Sequence, residues 1–149
     1  DLDSSEKMLN KASNAIYRKR FFKKLWKKIC VKSQQFLPEA VQWLERARSF
    51  QDLHTCFTLP VYGMKSVEEF YRQGSANNYI SGIRIPALII NALNDPMLDR
   101  ACYPEGLARK MHNVFLEVPR LGGHVGFMSH PQKNTWSELR AYQFVSQYH

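Results

Sequence analysis

Apolar residues in the first third of the chain recur at helical spacing. Residues 5–33 read as one long helix or two joined ones, with Ser4 or Ser5 as the candidate N-cap. Phe22, Leu25, Trp26 and Ile29 fall on one face, and Lys23, Lys24, Lys27 and Lys28 fall mostly on the other. A further helix is expected from Pro38, where Pro38 and Glu39 fill the first turn and an arginine lies near the end, as the helix dipole prefers. Val41, Leu44 and Ala47 or Arg48 give it one apolar edge. Residues 50–65 show no period. Pro60 and Gly63 interrupt them, so the stretch reads as irregular. A short helix over 66–74 follows, capped by Ser66, with Glu68 and Glu69 in its first turn and Gly74 at its end.

The pattern then changes. "PALIINAL", residues 86–93, is a continuous apolar run between Pro86 and Asn94-Asp95-Pro96. Such a run suits a strand buried on both faces, in a parallel sheet flanked by helices. "YPEGLARKMHN", 103–113, predicts a helix opened by Pro104 and Glu105 and ended by Asn113. "VFLEVP", 114–119, predicts a second strand. Residues 134–149 predict a terminal helix with Trp136, Leu139, Tyr142 or Gln143, and Val145 or Phe144 on its apolar side. Strand, helix, strand, helix is a right-handed βαβ crossover with a covering helix, so the fold class is α/β.

Composition narrows the function classes. The 149 residues are 44% hydrophobic and 23% charged, which suits a globular chain. The longest apolar run, Ala87–Ile90, is far too short to span a bilayer. "DLDSSEKMLN" has neither a basic nor an apolar region of the secretory type, and the chain lacks an initiator Met, so it reads as a fragment. Cys30, Cys56 and Cys102 are widely spaced, which suggests free, buried thiols in a reducing compartment. His54, His112, His130 and His149 have no partner at metal-ligand spacing and read as surface or helix-end residues; no metal or cofactor is expected.

The net charge of +8 is local. Ten basic residues lie between Glu6 and Glu39 with no acid among them, while the remaining 11 are outnumbered by 13 acids. The cationic helix over 16–32 is therefore a candidate surface for an anionic membrane or a calmodulin-like partner. Lys23, Lys24, Lys27, Lys28 and Trp26 are its candidate contacts, with Phe22, Trp26 and Ile29 as anchors. A solvated face over an ordinary core helix remains the plainer reading. Nucleic acid is not an expected partner, because no aromatic strand platform or base-reading helix is visible.

Candidate chemistry sits in the second half. In an open α/β sheet, functional residues gather beyond the carboxyl ends of the strands. Asp95 comes two residues after the first expected strand and His124 five after the second. Neighbouring strands about 4.8 Å apart would put both loops on one rim. Pro96 keeps Asp95 in extended backbone, and Gly122-Gly123 leave room before the imidazole. Asp95 could then orient His124 as a general base and acid, in the later part of the Ser…Asp…His order of α/β-hydrolases. A capping aspartate and a packed loop histidine are the alternatives. Phe127 and Met128 read as core packing rather than an acyl pocket.

"YRQGSANNYISGIRIPALIINALNDPML", with "FLEVPRLGGHVGF" further on, resembles the C-terminal region of the AB hydrolase 4 family. That family includes predicted bacterial hydrolases and animal abhydrolase domain-containing proteins. Its pattern P-x-L-x-I-x-A-x-D-D-P, then G-G-H-x-G-[FW], is met by "PALIINALNDP" and "GGHVGF", and Asp95 and His124 are 29 positions apart. "FFKKLWKK", "FTLPVYG" and "EEFYRQGSA" extend the likeness over nearly the whole chain. Asn94 replaces the first acid of D-D-P, a departure expected to be mild.

The resemblance implies the C-terminal part of an α/β-hydrolase domain. Residues 1–80 would form a helical insertion, and 81–149 the last two strands with their helices. It implies Ser-His-Asp chemistry on carboxylic esters, lipid-like ones included, with Asp95 and His124 as two triad members. No G-x-S-x-G occurs in the sequence; "QGSAN" lacks the second glycine and follows a helix, so Ser75 reads as a turn residue. The nucleophile and oxyanion loop would lie upstream of Asp1, with any membrane-anchoring segment. The chain alone is expected to be inactive, and exposed sheet edges to make it associate.

Overall fold

Helix α2, Ala15–Phe36, organises the first half of the molecule. Here as throughout, the structure is a computed structural model, and it describes residues 1–36, 41–128 and 134–148. The expected helix start at Pro38 and Glu39, together with His130 and His149, lies outside the described residues. Backbone contacts divide the chain into two compact units. One comprises residues 9–75 with Leu2; the other comprises 76–149 with Asp1 and residues 3–8.

In the unit of residues 9–75, the apolar face of α2 does what its spacing predicts. Ile29 is buried with Leu44, Ala47 and Leu53, and Phe22, Leu25, Trp26, Cys30, Cys56 and Phe57 pack around them. Leu44 belongs to α3, Val41–Arg46. Trp26 also donates its indole N–H to the Leu44 carbonyl at 2.8 Å, which satisfies the one polar atom of a half-buried ring.

The stretch after α3 departs from the sequence reading. Residues expected to be irregular are helical in three pieces: α4, Phe50–Leu53; a π turn, His54–Thr58; and α5, Leu59–Tyr62. Ser49 and Asp52 form a reciprocal capping box that starts it. Pro60 has no N–H to offer an α-type bond. The π turn, in which Leu59 N–H reaches the His54 carbonyl, widens the helix just ahead of it. Gly63 then ends the run at φ 63°, a left-handed conformation that glycine adopts without strain. Helix α6, Val67–Gly74, starts as expected, with the Ser66 hydroxyl accepting from Glu69 N–H at 3.1 Å.

His54, expected at the surface or at a helix end, stands at the end of α4 and is half-buried. Its ring packs against Phe70 and Tyr71, with centroids 4.9 and 5.5 Å away. That burial holds its pKa below the usual histidine value.

The other unit carries the sheet. Strands β1, Ala87–Ile90, and β2, Val114–Glu117, run parallel, with Ala87 opposite Val114 and Ile90 opposite Glu117. The Asn113 side chain donates to the Ile83 and Ile85 carbonyls at 3.1 Å each, which ties the entry of β1 to that of β2. All four β1 residues are half-buried, not buried on both faces as expected, because among the described residues the sheet has two strands. The crossover helix α7 is shorter than the sequence suggests, Glu105–Ala108. The bonds after it, from Lys110 to Leu107 and Met111 to Ala108, are tighter i→i+3 turns.

Helix α8, Trp136–Val145, starts at a Thr135–Glu138 capping box. Its inward edge is Phe144, which packs edge-on to Phe115 at 5.4 Å. Of the alternatives expected on the apolar side, Phe144 is the buried one, while Val145, both Tyr142 and Gln143, and Trp136 are exposed. The rotation of α8 is fixed instead by Phe144 and by Arg140, whose Nε lies 2.8 Å from Glu117 Oε1. Helix α1, Leu2–Leu9, is entered through Asp1, whose carboxylate accepts from Ser4 N–H at 2.8 Å. Ser4 is therefore inside the helix rather than its cap; its hydroxyl lies 3.3 Å from the buried Cys102 sulfur.

Candidate active site

Both loops that leave the sheet at its carboxyl end are built from turn residues. After β1 the chain runs through Ala92, whose carbonyl is held by the Tyr103 hydroxyl at 2.6 Å and by Asp95 N–H at 3.2 Å. Asp95 then folds back on itself: Oδ1 accepts from Met97 N–H at 2.8 Å across Pro96. One carboxylate oxygen is thereby fixed, and the other is presented to the neighbouring loop.

That loop closes on Gly122. Its carbonyl accepts from the N–H groups of Gly126 and Phe127, at 3.0 Å each. A Cβ on Gly122 would come within 2.5 Å of the Phe127 ring and 2.8 Å of Ala92 Cβ, so only glycine fits there. Gly123 has φ 58°, and Phe127 itself has φ 39°, an unfavourable angle for a residue with a side chain. Phe127 is held in place by stacking on Trp136 at 5.9 Å and by accepting from Trp136 N–H at 2.8 Å.

At the crest of this turn His124 Nδ1 lies 2.9 Å from Asp95 Oδ2. The carboxylate side chain is 2% exposed and the imidazole 44% exposed. A carboxylate only accepts hydrogen bonds, so the contact selects the tautomer with the hydrogen on Nδ1 and the lone pair on Nε2. The ring is thus anchored on its inner side. Leu93, Leu121, Val125 and Met128 stand exposed in the same two loops. Met128 was expected in the core; the turn that buries Phe127 turns its neighbour outward. A cleft of about 550 Å³ runs beside the loop, lined by Asn94, Leu121, Gly122, Met128 and Trp136 among others.

Asn94 does more than its sequence suggested. Its Oδ1 accepts from Gly122 N–H at 3.0 Å and Gly123 N–H at 2.9 Å, which stitches the Asp95 loop to the His124 loop. An aspartate could accept the same two bonds, so the loss of one acid from D-D-P keeps this function. The readable signal was the pairing of a short acceptor side chain beside one candidate residue with two small residues beside the other. Tyr103 is a second supporting residue the sequence did not flag. Burial raises its hydroxyl pKa, with the negative charge of Asp95 adding to the effect.

The other candidate residues lie in the unit of residues 9–75. Lys23, Lys24, Lys27 and Lys28 are exposed on α2. Trp26 is not exposed with them: it faces the core and its N–H is used, so it is withdrawn as a contact residue. Phe22 and Ile29 are likewise packed and are not free anchors. Ser75 is buried, donating to the Tyr71 carbonyl at 2.7 Å and accepting from Leu2 N–H at 2.9 Å, a structural position at the end of α6.

The sequence is similar to those of several known proteins. The chain is 26% identical over 137 residues to an abhydrolase domain-containing protein of Dictyostelium discoideum, covering 90% of this chain and 34% of that protein. It is 27% identical over 107 residues to the bovine phospholipase ABHD3, covering 70% of this chain and 26% of that protein. It is 29% identical over 91 residues to the human monoacylglycerol lipase ABHD2, covering 57% of this chain and 21% of that protein. The chain is related to the abhydrolase domain-containing proteins. It spans about a third or less of the length of these abhydrolase relatives. No family model and no solved structure matches it.

Proposed function

We propose that this chain is the C-terminal part of a serine hydrolase of the Ser-His-Asp type and carries its acid–base half. In this reading residues 1–80 are a helical insertion, and β1, β2 and their covering helices are the last part of the α/β-hydrolase sheet. Asp95 fixes the tautomer of His124 and stabilises the imidazolium that forms. His124 Nε2 takes the proton of a serine hydroxyl as that oxygen attacks an ester carbonyl, then returns it to the departing alkoxide. The serine and the oxyanion donors come from outside these 149 residues. The contact of 2.9 Å between His124 Nδ1 and a carboxylate that is otherwise buried carries the proposal.

The substrate class we propose is a lipid-like carboxylic ester. Two observations support it: the exposed apolar residues Leu93, Leu121, Val125 and Met128 in the same loops as the imidazole, and the lipase and phospholipase names of the relatives. No cofactor enters this chemistry.

On this reading the chain alone carries no activated serine, so a fluorophosphonate probe is expected to leave it unlabelled; labelling of any of its serines would contradict the reading. Grafting the chain in place of the matching C-terminal segment of a monoacylglycerol lipase relative gives the positive test. The chimera should hydrolyse a short ester, and Asp95→Asn should lower turnover by about 10⁴-fold through the wrong tautomer. A chimera whose hydrolysis survives His124→Ala would overturn the assignment.

A further inference from the structure

The outer face of α2 has a composition that the core does not explain. With Phe22, Trp26 and Ile29 turned inward, the opposite side presents Tyr17, Phe21 and Val31, which are 52%, 49% and 60% exposed. At 100° per residue they lie along one stripe with Arg20, Lys24 and Lys28, all exposed. No acidic residue occurs in the helix. Its 22 residues make a face about 33 Å long.

We infer that this face is a docking surface for an anionic lipid bilayer. The lysines and arginine supply attraction to acidic headgroups. Tyr17, Phe21 and Val31 supply apolar side chains that reach the boundary between headgroups and acyl chains. A nucleic-acid backbone would use the cations but not the apolar stripe, and an acidic helix-binding groove would need the anchors Phe22, Trp26 and Ile29, which are packed into the core; a flat bilayer surface uses the cations and the apolar side chains of the one exposed face. The helix docks lying flat as part of its folded unit, because its other face is committed to the core. No helix of the described residues is long and apolar enough to cross a membrane, which fits a surface contact. This inference is independent of the acid–base pair, whose residues lie in the other unit.

Vesicle flotation of the whole chain tests it, since aggregated protein sinks and only bound protein rises. The chain should float with vesicles containing phosphatidylserine, should not float with pure phosphatidylcholine, and should be released as salt rises. Lys24→Glu with Lys28→Glu should weaken partition by about 25-fold or more, at about fivefold per neutralised lysine. Tyr17→Ser with Phe21→Ser should weaken it severalfold at unchanged charge. These side chains are exposed, so circular dichroism should be preserved; if the charge reversal unfolds the chain, the salt series and the aromatic variant decide. The inference is overturned by no flotation, by equal flotation on neutral vesicles, or by binding unchanged in the variants. Loss to a soluble polyanion such as heparin, with no effect of the aromatic variant, would mark the face as a general polyanion site and also overturn it.

Discussion

At the residue scale, the Asp95–His124 contact depends on side chains that do not take part in it. Asn94 holds both glycines of the histidine loop, and each lost bond is worth about 1 kcal/mol. Asn94→Ala should therefore lower stability by about 1–2 kcal/mol and loosen His124, while Asn94→Asp should keep the loop. Urea unfolding, read alongside the imidazole resonances of the two variants, checks this. Gly122→Ala should be the harsher change, because its Cβ meets both Phe127 and Ala92. The contact between Asp95 and His124 was legible: two residues in the loops after two adjacent strands emerge on one rim. Asn94 was not, because a neutral residue in an acid's place reads as a loss until the two N–H groups it accepts from are seen. Trp26 was misread for another reason. Its apolar spacing already placed it on the inner face, and the pull of neighbouring lysines does not change the side on which a helix presents it.

Among elements, capping set more than periodicity revealed. Residues 50–65 looked broken because proline and glycine were weighed as interruptions. Ser49 and Asp52, three apart, were the overlooked start signal, and the π turn absorbs Pro60 without ending the helix. Backbone N–H bonds from Arg48 and Ser49 hold the Asp52 carboxyl below its usual pKa, against the opposing pull of desolvation. Ser49→Ala and Thr135→Ala should each cost about 1 kcal/mol, measurable as a shift in the unfolding midpoint. The strand β1 failed its expected double-sided burial for a reason that no pattern within it contains. Burial of a strand depends on its neighbours, and this sheet has two strands among the described residues. The short α7 reflects a helix with Gly106 in its middle and few apolar positions to hold it.

For the molecule as a whole, pH should act on stability through the unit of residues 9–75. Burial lowers the pKa of His54 in the native state, so the native protein favours the neutral ring. As pH falls below the ordinary value of about 6.5, the unfolded chain binds the proton first and stability drops, levelling off below the native pKa. Above that ordinary value the full contribution is present. Thermal unfolding at pH 8 and pH 5 should show a fall in the wild-type chain that is reduced in His54→Gln; an equal fall in both would assign the effect elsewhere. The half-buried sheet and the exposed Leu93, Leu121, Val125 and Met128 leave apolar surface open, so concentration-dependent association is expected by analytical ultracentrifugation.

The hydrolase reading rests on one hydrogen bond, and ¹⁵N NMR of the histidine side chains reads it directly. In the neutral form of its ring, within the whole chain, His124 should carry its hydrogen on Nδ1 and leave Nε2 bare, and Asp95→Ala should convert it to a mixture of tautomers. A ring that carries its hydrogen on Nε2, unchanged by Asp95→Ala, would show that the pair cannot serve as the acid–base half of a hydrolase site.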